Sequence, residues 1–389
     1  MIMTPALGFF YGGLVRKKNL VSTLVQCLAI FALVSLVWAL WGYSLALGPT
    51  VIGVIGNLEY VGLNNVGVAP NPNYSNTIPE LLYFAFQLKF AAITPALIIG
   101  AFAERIRFKA LLIYIVLWAT FIYAPIAHWN WAAGGWLRNM GVVDFAGGLV
   151  VHTAAAVSAV AGALVLGRRN GMRGENGRPN NIPYVILGAS ILWFGWFGFN
   201  AGSALAANGL AVNALVVTNL AAAAAGMSWM SVDWLRKGKP SGVGLSVGAV
   251  CGLVAITPAS GYVNPLSAVI IGLVAGVSCN YVATWRARTA LDDSLDVFAC
   301  HGMGGIWGTI ATGLFASTAI NSSGPNGLLF GNPNLVLIQA FAVLVVAAFG
   351  FTGSYVILKI INFFTPLRVS PQEEDDGLDM SQHGEEAYA

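Results

Sequence analysis

Two histidines of this chain end matching segments, one in each half of the sequence. Asp144 begins the run DFAGGLVVH, which ends at His152, and Asp293 begins the run DSLDVFACH, which ends at His301. Both runs are largely small and apolar between those ends. A neutral imidazole carries one hydrogen-bond donor and one acceptor, so two imidazoles in contact can share a proton. The pattern indicates proton chemistry in apolar surroundings or, as the plainer alternative, a structural pair of hydrogen bonds between helices.

The composition places these histidines inside a membrane. Of the 389 residues, 57% are hydrophobic and only 9% are charged, whereas soluble domains carry about a quarter charged residues. The apolar segments have the length of helices and are rich in glycine and alanine, which favours a helical bundle over a β-barrel. Ionisable groups in such surroundings mark pathways or relays.

The other reactive side chains indicate neither a metal site nor an enzyme. A zinc site normally needs three or four ligands, and no third ligand shares the faces of the two histidines. No nucleophile–base pair, phosphate-binding loop or cofactor motif is present, so we predict a protein that is not an enzyme and holds no cofactor. The four cysteines fall in apolar segments and are expected to be small core residues: Cys27, Cys251, Cys279 and Cys300.

Hydropathy along the chain predicts the membrane spans. About 20 apolar residues cross a bilayer, and the segment before Arg16 is shorter, so we expect either a short first helix or one whose start is missing. No cleavable signal peptide is expected, because no basic stretch precedes the apolar residues. Ten further spans are predicted at about 20–47, 82–103, 110–129, 146–166, 184–206, 211–235, 242–257, 265–285, 297–317 and 335–364.

The basic residues predict the orientation. All but three of the 19 lysines and arginines lie in clusters on alternate connections, at 16–18, 105–109, 168–178, 236–239, 286–288 and 368. The intervening connections hold only Arg138. Because basic loops stay in the cytoplasm, we predict an outer amino end, eleven helices and a cytoplasmic tail at 367–389. The acidic composition of the tail predicts that it is solvated unless a partner orders it.

Eleven helices divide into two repeats of five helices, at about 1–167 and 182–317, and one long extra helix at 335–364, within a membrane domain at 1–366. An odd number of helices in each repeat makes the second repeat inverted relative to the first. The two Asp–His segments then enter the membrane from opposite faces. Each histidine lies eight residues deeper than its aspartate, about 12 Å along a helix. Both should reach the middle of a core roughly 30 Å thick.

The polar and aromatic residues near these segments could each have a structural role or a role in binding a cation. Asp144 and Asp293 stand at helix starts, where a carboxylate can cap free N–H groups; a direct cation site at Asp144 is the sharper alternative. Aromatic faces attract cations by about 0.5–2 kcal/mol, and a serine hydroxyl can accept an N–H. Plain packing is the alternative for this set, which comprises Phe86, Phe90, Trp131, Trp196, Phe199 and Ser203.

At these residues the sequence resembles the Amt/Mep/Rh family of ammonium transporters, on the Amt side. The resemblance covers essentially the whole chain, and it implies a homotrimer with one pore through each eleven-helix subunit. The motifs that carry it are GFFYGGLVRKKN at 8–19, FAAITPALIIGAFAERIRF at 90–108, PIAHWNWAAGGW at 125–136, DFAGGLVVH at 144–152, WFGWFGFNAGS at 193–203 and DVFACHGMGGIWG at 296–308.

The resemblance implies three groups of residues along the pore. They are an outer ammonium recruitment site of Trp131, Phe86 and Ser203, a stacked gate of Phe90 and Phe199 beneath it, and the pair His152 and His301 lining the narrow pore. Asp144 and the matching Asp293 would be structural or electrostatic, and Tyr123 and Gln87 would lie around the vestibule and gate. Lys89 departs from the pattern beside the gate, and we expect its long side chain to reach away from the pore.

The function expected from this resemblance is ammonium or ammonia transport across the cytoplasmic membrane, with methylammonium as an analogue. NH4+ would be recruited at the aromatic site and lose its proton, and neutral NH3 would pass the histidines. A PII-type signal protein is the partner implied at the cytoplasmic face, and no nucleic acid partner is expected. A sensor protein and a neutral gas pore are the alternatives; Trp131 argues against the latter, and methylammonium uptake would exclude a pure sensor.

Overall fold

The structure of the protein is a computed structural model, and it describes residues 1–170 and 179–388. Residues 171–178 of the predicted basic connection lie outside the described part. Eleven helices, named α1 to α11 in chain order, make up the bundle. They are α1 (Met3–Leu14), α2 (Lys17–Leu47), α3 (Glu80–Phe102), α4 (Phe108–Trp118, Ala119–Tyr123 and Ala124–Trp131), α5 (Gly148–Leu166), α6 (Ile182–Gly202), α7 (Gly209–Lys237), α8 (Gly242–Ile256), α9 (Pro265–Arg286), α10 (Phe298–Gly302 and Met303–Phe315) and α11 (Asn334–Phe364).

The predicted fold class, an all-α membrane protein with eleven helices, is confirmed. Eight of the helices in the described residues are long and apolar enough to cross a membrane, and α8 is a shorter apolar helix. Large apolar side chains cover the outside of the bundle, as contact with lipid requires. Among the most exposed are Leu36, Leu164, Phe194, Leu266, Leu344 and Phe363.

The connections add little regular structure. After α2, strands β1 (Thr50–Val51) and β2 (Ile55–Gly56) pair antiparallel in a small hairpin, with Thr50 opposite Gly56. A short helix at Trp136–Met140 precedes α5, and another at Pro371–Asp376 lies in the tail. The helices that carry the two histidines, α5 and α10, lie against each other near the middle of the bundle. The boundaries of the two inverted repeats stay a prediction.

Close approach of α1 and α6 depends on a glycine. A Cβ atom built on Gly188 of α6 would lie 2.7 Å from the Cα atom of Phe10 and 2.8 Å from the carbonyl oxygen of Ala6. Real side chains do not tolerate such distances to backbone atoms, so only glycine permits this spacing. Small residues at helix contacts are the usual means of packing helices in a membrane, where lipid removes the hydrophobic drive for association.

A layer of buried ion pairs closes one end of the bundle, which we call the basic face. Glu104 is almost fully buried and accepts hydrogen bonds from Arg16 and Arg169 at 2.8 and 3.0 Å. Arg169 also binds both carboxylate oxygens of Asp292, at 3.0 Å each. Arg105 donates to the backbone carbonyl of Asp292 at 2.7 Å. Each buried charge therefore has an opposite charge beside it, which offsets the cost of removing it from water.

The electrostatics of this layer favour the ionised carboxylate of Asp292. Burial alone opposes its charge, yet the hydrogen bonds from Arg169 and the charges of Arg105 and Arg169 outweigh that cost, so the pKa of Asp292 lies below its ordinary value. A carboxylate with a lowered pKa stabilises the fold above its unfolded pKa, and this contribution is lost as the pH falls through the folded pKa. Protonation of Asp292 in acid should therefore weaken the layer.

The prediction of a solvated tail is wrong, because the tail folds back onto the basic face of its own chain. The carboxylate of Asp379 accepts the backbone N–H groups of Val21 and Ser22 at 3.1 and 2.7 Å, which caps the α-helical part of α2 that begins at Leu20. Near the end of the tail, the hydroxyl of Tyr388 donates to Asn180 at 3.1 Å. The acidic composition of the tail did not predict these hydrogen bonds, because their partners lie on parts of the chain that are distant in the sequence.

One acidic side chain of the tail is fully buried. Glu374 accepts from Arg368 at 2.7 Å and from the backbone N–H of Asn170 at 2.6 Å. Since Arg16 also donates to the backbone carbonyl of Asn170 at 3.5 Å, the tail and the layer of ion pairs share one hydrogen-bond network. The tail is therefore an integral part of the basic face.

The glycine contact between α1 and α6 gives a stability prediction. Replacing Gly188 by alanine should lower the thermal unfolding midpoint of the detergent-purified protein, because overpacking of a tight contact costs about 1–3 kcal/mol. Gly198 lies on the same helix with no atom within 4 Å of its position for a Cβ. Gly198→Ala is therefore the matched control and should be neutral or slightly stabilising. Equal midpoints for the two variants would contradict the role given to Gly188.

Candidate functional site

The two histidines meet in the interior of the bundle. The Nδ1 atoms of His152 and His301 lie 3.3 Å apart, and the two rings are nearly parallel, with centroids 5.3 Å apart and planes inclined by 19°. Both side chains are buried. At this distance one imidazole donates its Nδ1–H and the other accepts, so a proton can lie on either ring.

A tryptophan extends this stack. The ring of Trp196 lies 5.5 Å from that of His152 at an angle of 21°. The indole N–H of Trp196 donates to the hydroxyl of Thr257 at 2.9 Å, which fixes the ring in place. His152 is thus held between Trp196 and His301. In the sequence, Trp196 was notable only for its helical spacing from Phe199. That spacing did not predict a contact between Trp196 and a histidine.

Both histidines stand in π-helical turns, and these turns begin their helices. His152 lies in the π-helical turn Gly148–Thr153 of α5, and His301 lies in the turn Phe298–Gly302 of α10. Such turns are rare in proteins overall, but those that occur are often found at functional sites. They change the direction in which side chains leave the helix. Gly305 brings α10 close to this place, since its Cβ would lie 2.9 Å from that of His152.

The carboxylate of Asp144 binds the free N–H groups at the start of α5. Its two oxygens accept four backbone hydrogen bonds, from Gly147, Gly148, Leu149 and Val150, at 2.7–3.3 Å. Burial raises the pKa of Asp144, and these four bonds act in the opposite direction. The carboxylate is therefore occupied by the backbone, and the side chain has the geometry of a cap.

Asp293 has the matching place before α10, with fewer bonds. Its oxygens accept the backbone N–H groups of Val297 and Phe298 at 3.0 and 2.7 Å. Burial and the neighbouring charge of Asp296 raise the pKa of Asp293 to about 6. The two aspartates therefore perform the same geometric role at opposite ends of the bundle, but Asp144 satisfies twice as many N–H groups.

A water-sized space lies beside the histidine pair. It measures about 10 Å³, close to the minimum that holds one water molecule. Apart from the two imidazoles its walls are almost wholly apolar: Met3, Leu7, Ile93, Leu97, Val151, Leu192, Trp196, Phe199 and Val250. A small neutral molecule fits there, whereas a hydrated ion does not.

Two stacked phenylalanines separate this narrow space from an open vestibule. The rings of Phe90 and Phe199 lie 4.1 Å apart at an angle of 29°. Phe199 lines the narrow space, and Phe90 lines the vestibule, a cavity of about 670 Å³. Passage between the two cavities therefore requires these rings to move.

The vestibule brings the other predicted site residues together. Phe86, Trp131 and Ser203 all line it, and the ring of Phe90 lies 4.9 Å from that of Phe86 and 5.5 Å from that of Trp131. The indole N–H of Trp131 donates to the carbonyl of Asp144 at 2.9 Å. The hydroxyl of Ser203 donates to the carbonyl of Phe199 at 2.9 Å, so its lone pairs are left for a donor in the cavity.

Three residues named beside this set lie as follows. Gln87 lines the vestibule, whereas Tyr123 is buried behind it against Trp38 and Trp118. The ammonium group of Lys89 lies 5.3 Å from the ring centroid of Phe31 on α2, and Lys89 does not line the vestibule. Its charge therefore points away from the cavity, as expected.

A second cavity opens at the basic face. It measures about 420 Å³ and is lined by charged side chains from several helices, among them Arg16, Glu104, Arg169, Asp233, Arg286 and Asp296. In residues 1–170 and 179–388, no group of three histidine, cysteine or acidic side chains is placed to hold a metal ion. The structure thus contains separate cavities at the vestibule, beside the histidine pair and at the basic face.

Comparison with known proteins places these features in a family. The model of the Ammonium Transporter Family matches residues 1–388. The "Ammonium transporter" of Bacillus subtilis is 47% identical over 388 residues, which cover 100% of this chain and 95% of that protein. "Ammonium transporter Amt1" of Archaeoglobus fulgidus is 45% identical, with 100% and 96% covered. The crystal structure of Candida albicans Mep2 superimposes with a TM-score of 0.90 at 37% identity, covering 96% of this chain and 84% of that one.

The unequal caps give a graded prediction. In Asp144→Asn one oxygen becomes an NH2 group that opposes two backbone N–H groups, and hydrogen bonds to a charged group are worth about 1.5–3 kcal/mol each. In Asp293→Asn only one N–H group is opposed. Asp144→Asn should therefore lower the thermal unfolding midpoint more than Asp293→Asn. The reverse order, measured on both variants in one detergent, would contradict the capping account.

Proposed function

The chain belongs to the ammonium transporter family and is an ammonium transporter, and from this premise we propose how its own residues carry ammonium. The proposed path runs from the vestibule through the gate of Phe90 and Phe199 to the histidine pair. It leaves by the charged cavity at the basic face. The observation that carries the proposal is the buried contact between His152 and His301, next to a space that admits only a molecule of about water size.

Recruitment takes place in the vestibule. An ammonium ion there exchanges part of its water shell for the faces of Trp131 and Phe86 and for the hydroxyl oxygen of Ser203. Cation–π contacts of this kind contribute about 0.5–2 kcal/mol each. The vestibule is wide enough to hold the ion with several of its waters, so the ion need not dehydrate fully at this point.

Deprotonation follows at the gate. A bare cation in the narrow apolar space is very costly, since burying an unpaired charge costs far more than burying a neutral polar group. The ion therefore transfers its proton to the unpartnered Nε2 atom of His152, in the narrow space that Phe199 lines, and neutral ammonia passes on. A potassium ion cannot give up a proton, which excludes it.

The histidine pair carries the proton across the same barrier. A proton accepted by one imidazole is shared across the 3.3 Å contact with the other. Each ring has its second nitrogen available for exchange, and the Nε2 atom of His152 is buried without a partner. Ammonia and proton thus use one narrow region and combine again in the charged cavity beyond.

The orientation and partners are also proposals. The basic clusters support a cytoplasmic position for the basic face and an outer position for the vestibule. We propose a homotrimer, as the family resemblance implies, and a PII-type signal protein that covers the cavity at the basic face. The apparent mass of the particle in detergent, corrected for bound detergent, tests the trimer.

Substitution of the histidines tests the mechanism. His152→Ala and His301→Ala, alone and together, should each reduce the ammonium-driven current in proteoliposomes at least about tenfold, because the proton loses its acceptor in the narrow region. His128 provides the matched control, since it is buried but bonds to Thr50 and to the carbonyl of Ala46. His128→Gln retains both kinds of bond and should keep its current. If the double variant kept the wild-type current and the wild-type selectivity over potassium, the proposal that the two histidines carry the proton would be wrong.

A further inference from the structure

The extra helix α11 places one buried amide against the wall of the vestibule. Gln339 is fully buried. Its Oε1 atom accepts the backbone N–H of Val143 at 3.0 Å, and its Nε2 group donates to the backbone carbonyl of the same residue at 2.7 Å. Turning the amide over would oppose two donors at one contact and two acceptors at the other, so these bonds fix its orientation. One side chain of α11 thus holds both backbone polar groups of Val143.

The residue that Gln339 binds lies in an irregular part of that wall. Val143 lines the vestibule and belongs to the connection between the short helix Trp136–Met140 and α5. In the described part of the chain, neither its N–H nor its carbonyl bonds to another backbone group. Backbone polar groups of a folded chain need partners, and an irregular segment cannot supply them from its own neighbours. The amide of Gln339 therefore determines where this segment lies.

The same amide is anchored to the helix that carries His301. Its Nε2 group also donates to the backbone carbonyl of Thr309 at 3.3 Å, about two turns beyond His301 in α10. The two helices approach closely near this point, since a Cβ atom built on Gly313 would lie 2.9 Å from the Cα atom of Val336 on α11. Gln339 thus joins the vestibule wall to α10.

The residue after Val143 transmits this constraint to the recruitment site. The carbonyl of Asp144 accepts the indole N–H of Trp131 at 2.9 Å, so a shift of Val143 would move the acceptor that orients the ring. We propose that Gln339 is a positioning residue for ammonium recruitment, which holds Val143 so that the Asp144 carbonyl keeps the Trp131 ring in place. Gln339 does not itself line the vestibule. The proposal rests on ammonium recruitment at Trp131 and adds a residue of α11 to it.

The chemistry of the contact explains why a glutamine stands there. An amide supplies an acceptor and a donor from one planar group, which matches the carbonyl and the N–H of a single residue. A carboxylate would bind only the N–H, and a lysine or arginine would bind only the carbonyl. Methionine is close to glutamine in length and volume but forms only weak hydrogen bonds. It therefore removes the contact with Val143 without leaving a large cavity.

The test measures the half-saturation concentration of the ammonium-driven current in proteoliposomes. Gln339→Met should raise this concentration about 3- to 10-fold, because the bonds that hold the vestibule wall are lost. Gln339→Asn keeps the amide but is one methylene shorter, and it should raise the concentration as well. Half-saturation does not depend on the amount of folded protein, whereas a purely structural loss would lower only the maximal current.

Ser354 provides a matched control on the same helix. It is also fully buried, and its hydroxyl bonds to Tyr114 and Trp118 at 3.1 and 3.0 Å. It lies 15 residues beyond Gln339, about 22 Å along α11. Ser354→Ala should lower the thermal unfolding midpoint and leave half-saturation unchanged. A rise equal to that of Gln339→Met would overturn the positioning role, because any disturbance of α11 would then have the same effect.

A double-substitution cycle tests whether Gln339 acts through Trp131. Trp131→Leu should itself raise the half-saturation concentration. In that background Gln339→Met should add a much smaller factor than in the wild-type protein, because the ring that it positions is gone. Unchanged half-saturation in Gln339→Met, or the same factor in both backgrounds, would overturn the positioning role while leaving recruitment intact. Unchanged half-saturation in Trp131→Leu would overturn the proposed recruitment, and the positioning role with it.

Discussion

The hydrogen bond between two buried imidazoles is the interaction on which the rest of this structure depends. In an apolar interior a lone imidazole leaves two polar nitrogens unsatisfied, whereas the pair satisfies one nitrogen of each ring. The pair forms only because α5 and α10 begin with π-helical turns at equivalent places and meet near the middle of the bundle. Removal of either ring would leave the other buried and without its partner.

The rest of the bundle maintains this contact in two ways. Asp144 and Asp293 bind the free N–H groups at the helix starts, so both π-helical turns are anchored immediately before the histidines. Glycines at close contacts, such as Gly305 beside His152, allow the helices to approach without displacing the rings. At the basic face, buried ion pairs and the folded tail join the helix ends into one network. The vestibule face remains open, and Phe86, Trp131 and Ser203 line it.

Much of this architecture could be predicted from the sequence. The two Asp–His spacings and the alternation of basic connections were sufficient to place His152 and His301 at one depth in the membrane. Helix rise and the positive-inside rule apply whichever side chains the helices carry. Ten of the helices followed from the lengths of apolar runs, and the alternation of basic connections raised the predicted number to eleven. The grouping of Trp131, Phe86 and Ser203 came from resemblance to a family, since aromatic residues at helical spacing have no unique meaning. The π-helical turns and the stacking of Trp196 on His152 depend on tertiary contacts that local sequence does not encode. The folded tail was missed for the same reason, because Asp379 and Glu374 find their donors on residues that are distant in the sequence.

The central claim is that ammonium crosses as ammonia while its proton crosses by way of the two imidazoles. The most direct measurement compares the charge moved with the labelled methylammonium taken up, in the same proteoliposomes held at fixed membrane potential. The account predicts about one elementary charge per molecule in the wild-type protein, because each molecule is accompanied by its proton. Uptake without charge movement would contradict the account, since the proton would then remain on the side from which the ammonium came.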